Sequence, residues 1–243
     1  MIWEELKVYR PLKKEVLKES YKRFTSIIAE NLSHFGFKLV GRRLIKRSED
    51  LFHVIHLDTR GSWTGLSDSF KTEIAITSIY DKEVFVKNYE LTGSKSIESL
   101  IPNLKNYYRI TEEYPLLADF ITRKIIDFVL PYFDKYSSSK QIIGDRTNFK
   151  IDNLTQATER NRNLIMLCEL SNNQNIQASN IIRSKIDLTQ KLNNGSEELK
   201  DLVKLLNMLE AENWEGIREV LNSYKAEVFK KLRIKENQAG NPV

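Results

Sequence analysis

Four runs decide the fold: Phe37-Lys38-Leu39, Arg43-Leu44-Ile45, Phe52-His53-Val54-Ile55-His56-Leu57 and Phe70-Lys71-Thr72-Glu73-Ile74-Ala75-Ile76. Each is short, rich in β-branched or aromatic residues and partly alternating, which is the signature of strands. The clusters between them, Ser48-Glu49-Asp50, Arg60-Gly61-Ser62 and Gly65-Leu66-Ser67-Asp68, are turn formers. Strands joined by short polar breaks predict an antiparallel meander, because a parallel sheet needs helical crossovers. A further strand is expected around Glu83 to Tyr89.

Outward from this stretch the period lengthens. From Pro11 to about His34, Leu17, Tyr21, Phe24 and Ile28 recur at three- and four-residue steps, with Pro11 suited to a first turn and Gly36 to a helix stop. Residues 92–114 are mixed and read as mostly irregular. Leu116 to Phe133 returns to helical spacing through Phe120, Ile121, Ile125 and Val129, with Pro131 as its expected stop. Tyr136-Ser137-Ser138-Ser139 reads as a loop. The rest reads as helices at about 155–171, 174–193, 197–213 and 215–233, with Ser196 as a cap and the last two forming a hairpin.

The predicted class is therefore α+β: an N-terminal helix packed on an antiparallel sheet with a second helix, followed by an all-helical C-terminal part. Two domains are expected, an α+β domain over 1–140 and a helical subdomain over 150–236.

The chain has 243 residues, 41% hydrophobic and 29% charged, a composition that excludes disordered and fibrous classes. Its one cysteine, Cys168, rules out an internal disulfide and a multi-cysteine zinc site, and lies among Leu164, Ile165, Leu167 and Leu170 as a buried thiol would. No apolar run approaches the roughly 20 residues of a membrane span. Glu4 and Glu5 stand where a secretion signal would be basic. A cytoplasmic protein with no membrane partner is expected.

The net charge of +5 is not evenly spread. Residues 1–50 hold 12 basic and 7 acidic side chains and thus carry all of it. Arg10, Lys14, Lys18 and Lys22 step by four along the opening helix, and Lys38, Arg42, Arg43, Lys46 and Arg47 follow in the first strands. Such cations suit an acidic protein or nucleic-acid phosphates, although Glu15 and Glu19 lie within helical reach and partly compensate them.

Catalytic signatures are sparse. The phosphate-loop, dinucleotide-binding and serine-hydrolase glycine motifs are absent. His53 and His56 point to opposite faces of a strand and cannot grip one metal together. His56, Asp58 and Glu73 would serve a metal-dependent nuclease if they converged, but the lysine wanted two residues after the second acid is replaced by Ala75. Trp63, in Gly61-Ser62-Trp63-Thr64-Gly65, suits an interface anchor or a lid over the core edge, and Tyr107-Tyr108 is a second candidate for exposed aromatics.

The order of helix, Gly36-Phe37, Gly41-Arg42-Arg43, hydrophobic strand, Trp63 and Phe70 to Ile76 resembles a bacterial family of domains of unknown function, the 4304 type. The later Leu130-Pro131-Tyr132-Phe133-Asp134 fits the same family, and the resemblance spans roughly 11–140. It implies no catalytic residues. It does imply a binding role, some members being regarded as immunity proteins in toxin loci.

The expected function is a non-enzymatic binding protein, immunity or defence-associated, that meets an acidic protein partner through Arg42, Arg43, Lys46, His56, Arg60 and Trp63, with no cofactor or metal. Two alternatives stay open: a metal-dependent nucleic-acid-processing enzyme, and a scaffold or oligomer-forming protein using the C-terminal helices.

Overall fold

A computed structural model describes residues 2–6, 10, 12–58, 69–82, 95–101, 104, 108–145, 156–192 and 196–233. The chain divides into two compact units. One comprises Met1–Ser48, Phe52–Ile76 and Ser94–Lys135, the other Glu49–Leu51, Thr77–Gly93 and Tyr136–Val243.

In the first unit, α1 spans Lys14–Leu32 and ends through a single 3-10 turn, Ser33–Phe35, at Gly36. Gly36 has φ of 86°, the left-handed conformation that makes glycine a helix stop. The strands are β1 (Lys38–Val40), β2 (Arg43–Ser48), β3 (Leu51–Asp58), β4 (Ser69–Ser78), β5 (Lys95–Ser96) and β6 (Tyr108–Arg109). They form an antiparallel sheet in the order β1-β2-β3-β4-β5, with β6 also pairing β4. The α+β class and the meander are as predicted. The two-residue strands β5 and β6 replace irregular chain expected there, and the strand expected at Glu83 to Tyr89 lies outside the described residues.

Gly41 and Arg42 turn β1 into β2, closed by the pair Val40 and Arg43. Gly41 takes φ of 65° at the first central position, as a type II′ hairpin turn demands.

Alternation assigns the sheet faces. Leu44, Ile55, Leu57, Phe70 and Ile74 join Phe24, Ile28 and Leu32 of α1 in one core. Phe24 and Phe70 meet at 4.8 Å and 57°, a tilted aromatic contact. α2 (Tyr114–Lys124) completes the layer with Leu117, Phe120 and Ile121, and Phe120 lies 5.8 Å from Tyr108 of β6. Tyr108 is thus buried rather than exposed, because it fills the space between sheet and helix.

Pro131 does not stop this helix. Residues Ile125–Val129 form a π turn, in which Leu130 N–H reaches back to the Ile125 carbonyl, and α3 (Leu130–Lys135) continues beyond it. The widened turn places the proline near the start of a fresh helical segment, where its missing N–H matters least.

The second unit is helical: α4 (Ser139–Gly144), α5 (Gln156–Ser171), α6 (Ala178–Leu192), α7 (Glu197–Glu210) and α8 (Trp214–Leu232). α4 occupies part of the stretch read as loop. Ser196 caps α7 as expected, its hydroxyl accepting from Leu199 N–H at 3.2 Å, and Asn213 does the same for α8 at Gly216. The α5–α6 connection turns on Glu169, fully buried, whose Oε2 accepts the N–H groups of Ile176, Gln177 and Ala178 at 3.0, 2.8 and 2.9 Å. One carboxylate therefore satisfies three donors that the start of α6 leaves open.

Replacing Glu169 with Ala orphans those donors and lowers unfolding free energy by about 3 kcal/mol. Urea denaturation of the full chain measures it, with Glu169→Gln retaining part of the loss.

Candidate functional site

Two chemically distinct places emerge in the first unit: a buried charged cluster on the sheet face away from α1, and an exposed basic flank on the helix side.

The cluster follows from strand alternation. Ile55 and Leu57 enter the helix-side core, so His56 takes the opposite face. β4 contributes Lys71 and Glu73 in the same way. Glu73 ion-pairs with Lys71, two residues before it, and His56 Nδ1 lies 3.6 Å from Glu73 Oε2. The Glu73 side chain is 6% exposed and that of His56 12%. Asp58, the last residue of β3, is also buried, and its charge acts on the Tyr21 phenol. The lysine sought two residues after Glu73 therefore stands two residues before it, which period-two spacing makes equivalent. The cluster meets its negative charge with a protein cation, and no described group of three or more His, Cys, Asp and Glu residues is arranged to hold a metal ion. His53, on the other face, stacks on Phe133 at 4.5 Å and 7° as a core aromatic.

The basic flank is built on α1. Arg10 does not belong to the helical row, because α1 begins only at Lys14. Arg10 instead binds Glu113, with Nε to Oε1 at 3.0 Å and N–H to Oε2 at 3.2 Å, and lies 3.3 Å from Glu112. Arg23 pairs with Glu19 at 3.5 Å. Lys18 and Lys22 remain exposed with no described acidic partner. Arg42, exposed in the hairpin turn, has its guanidinium 5.8 Å from the centre of the Tyr21 ring. The Tyr21 hydroxyl donates to the Leu57 carbonyl, which fixes the ring between helix and sheet. Burial pushes the Tyr21 phenol well above its ordinary pKa, opposed by Arg42 and assisted by Asp58. Tyr21 thus stays neutral and serves as a platform for Arg42.

The sequence-derived set separates across these places. Arg42 joins the exposed flank. Arg43 is half-buried at the start of β2, opposite Val40, and Lys46 is half-buried with its ammonium 6.0 Å from the Phe37 ring. His56 belongs to the buried cluster. Arg60 and Trp63 lie outside the described residues. Cys168, in the other unit, is fully buried, and burial, with Asp50 and Glu169, raises its thiol pKa far above the range of a nucleophile.

Comparison with protein-family models, curated proteins and solved structures found no match. Among the described residues no helix is long and apolar enough to cross a membrane.

Glu73→Ala strands Lys71 and His56 in a buried site and destabilises the chain by about 3 kcal/mol, whereas the paired change Lys71→Met with Glu73→Leu recovers most of it; urea midpoints compare the two. Glu113 supplies a pH dependence. Burial pushes its carboxyl pKa up, but the Arg10 side chain and N–H outweigh this and hold it below the ordinary value. A depressed folded pKa stabilises above the ordinary carboxylate pKa, and that share is lost as pH falls through the folded value. Glu113→Gln therefore flattens the acid limb of the stability profile measured by thermal unfolding.

Proposed function

We propose that this chain is a non-enzymatic binding protein whose partner is an acidic protein, engaged through the flank formed by Lys18, Lys22 and Arg42. The observation that carries this reading is the contrast between the two charged places. Glu73 is internally matched by Lys71 and buried beside His56, while Lys18 and Lys22 stand in solvent in no described ion pair. Exposed cations grouped around an aromatic platform attract carboxylates and speed encounter with an acidic surface. The family resemblance adds an immunity or defence-associated setting, and the balanced charge of residues 51–243 favours a local acidic patch over the long polyanion of a nucleic acid.

The competing enzyme reading rests on the approach of His56 to Glu73 and would place Asp58 with them around a metal. Retention on immobilised poly-glutamate, weakened by salt and abolished by Lys18→Glu, Lys22→Glu and Arg42→Glu together, is the expected result. Cleavage of DNA or RNA by the purified chain with magnesium or manganese, lost in Asp58→Ala, would replace the binding reading with the enzymatic one.

A further inference from the structure

The basic flank runs beside an open sheet edge. β1 is the outermost strand and, among the described residues, pairs with β2 alone. Lys38 and Leu39 are exposed and Val40 half-buried. The register fixes which backbone groups face outward. Val40 and Arg43 close a two-residue turn, so in an antiparallel pair they exchange both hydrogen bonds, as Lys38 and Ile45 do one repeat further on. Leu39, opposite Leu44, falls on the alternate phase. Its N–H and C=O are directed away from β2, toward the open edge.

The helix places its cations over that same edge. Asn31 lines a cavity with Leu116, Asp119 and Thr122 of α2, so its flank of α1 faces α2. Lys22 lies nine residues earlier, about two and a half turns, and so projects from the opposite flank. Lys18 is one turn before Lys22. Arg42 lies two residues beyond β1, in the hairpin turn, and its guanidinium sits over Tyr21 of the same helix. Leu39 shares its phase with Leu44, whose side chain enters the helix-side core, so the exposed Leu39 side chain also lies on the side of the sheet where α1 packs.

We propose that β1 is a docking edge for an extended acidic segment of the partner protein, which adds as a further strand. The segment bonds to the Leu39 N–H and C=O, and its alternate carboxylates, all on one side of the added strand, face Lys18, Lys22 and Arg42. Strand addition of this kind takes affinity from the main chain and specificity from alternate side chains. The inference rests on the acidic-partner reading and specifies how that partner binds.

The probe is a fluorescent synthetic peptide alternating Glu and Val, beside the same peptide N-methylated on alternate residues, which keeps the charge and removes half the backbone donors. Fluorescence anisotropy gives the affinities, and NMR-detected hydrogen exchange follows the Leu39 amide. Strand addition predicts that saturating peptide slows Leu39 exchange by about tenfold, and that N-methylation in the strand-bonding phase weakens binding by about tenfold. The triple variant K18E/K22E/R42E is expected to bind neither peptide. If both peptides bind the unaltered chain equally and Leu39 exchange is unmoved, while the triple variant still loses binding, the edge is wrong and the acidic-partner reading stands. If the unaltered chain binds neither peptide, or the triple variant binds as well as it does, both fail.

Discussion

Phe24 packed on Phe70 holds α1 to the sheet, and the rest of the first unit is arranged by that contact. With Phe24 facing β4, the helix turns Ile28 and Leu32 into the same core and brings Tyr21 over the end of β3. That position lets one ring donate to a strand carbonyl and carry Arg42 on its face. Lys18 and Lys22 are consequently left on the flank opposite α2. Apolar packing on one side of a helix thus decides where charge gathers on the other.

The same constraint governs the sheet. Because alternate residues of β3 are claimed by the helix-side core, His56 must go to the other face, and β4 sends Lys71 and Glu73 after it. That face is buried too, so a lone carboxylate there would be expensive, and the cluster is tolerable because Lys71 and Glu73 lie two residues apart on one strand.

Much of this was legible in the sequence where a period could express itself. The strands containing Leu44-Ile45, Val54-Ile55 and Ile74 and the helix of Phe24 and Ile28 are long enough to show alternation or helical recurrence, and Gly36 and Ser196 mark ends by their own chemistry. β5 and β6 have two residues each and no period to read. Four-residue spacing carries the helical row back from Lys14 to Arg10 across Pro11, without regard to where hydrogen bonding starts. The ties of Arg10 to Glu112 and Glu113 join residues about a hundred positions apart, a separation that local spacing does not reach. The π turn at Ile125–Val129 shifts the helix by one residue without altering its hydrophobic content, so Pro131 read as a terminator. The partner of Glu73 was visible in principle: period two runs backward to Lys71 as readily as forward to Ala75.

The shortness of β1 bears on colloidal behaviour. An uncovered strand edge ordinarily invites copies of the same chain to stack into growing sheets. Here only Leu39 offers outward bonds, and Lys38 and Arg42 stand on either side of it. A second molecule approaching edge to edge would bring like charge against like charge over a span too short to compensate. The edge proposed to take an acidic strand is therefore also a guard against fibrillar self-association.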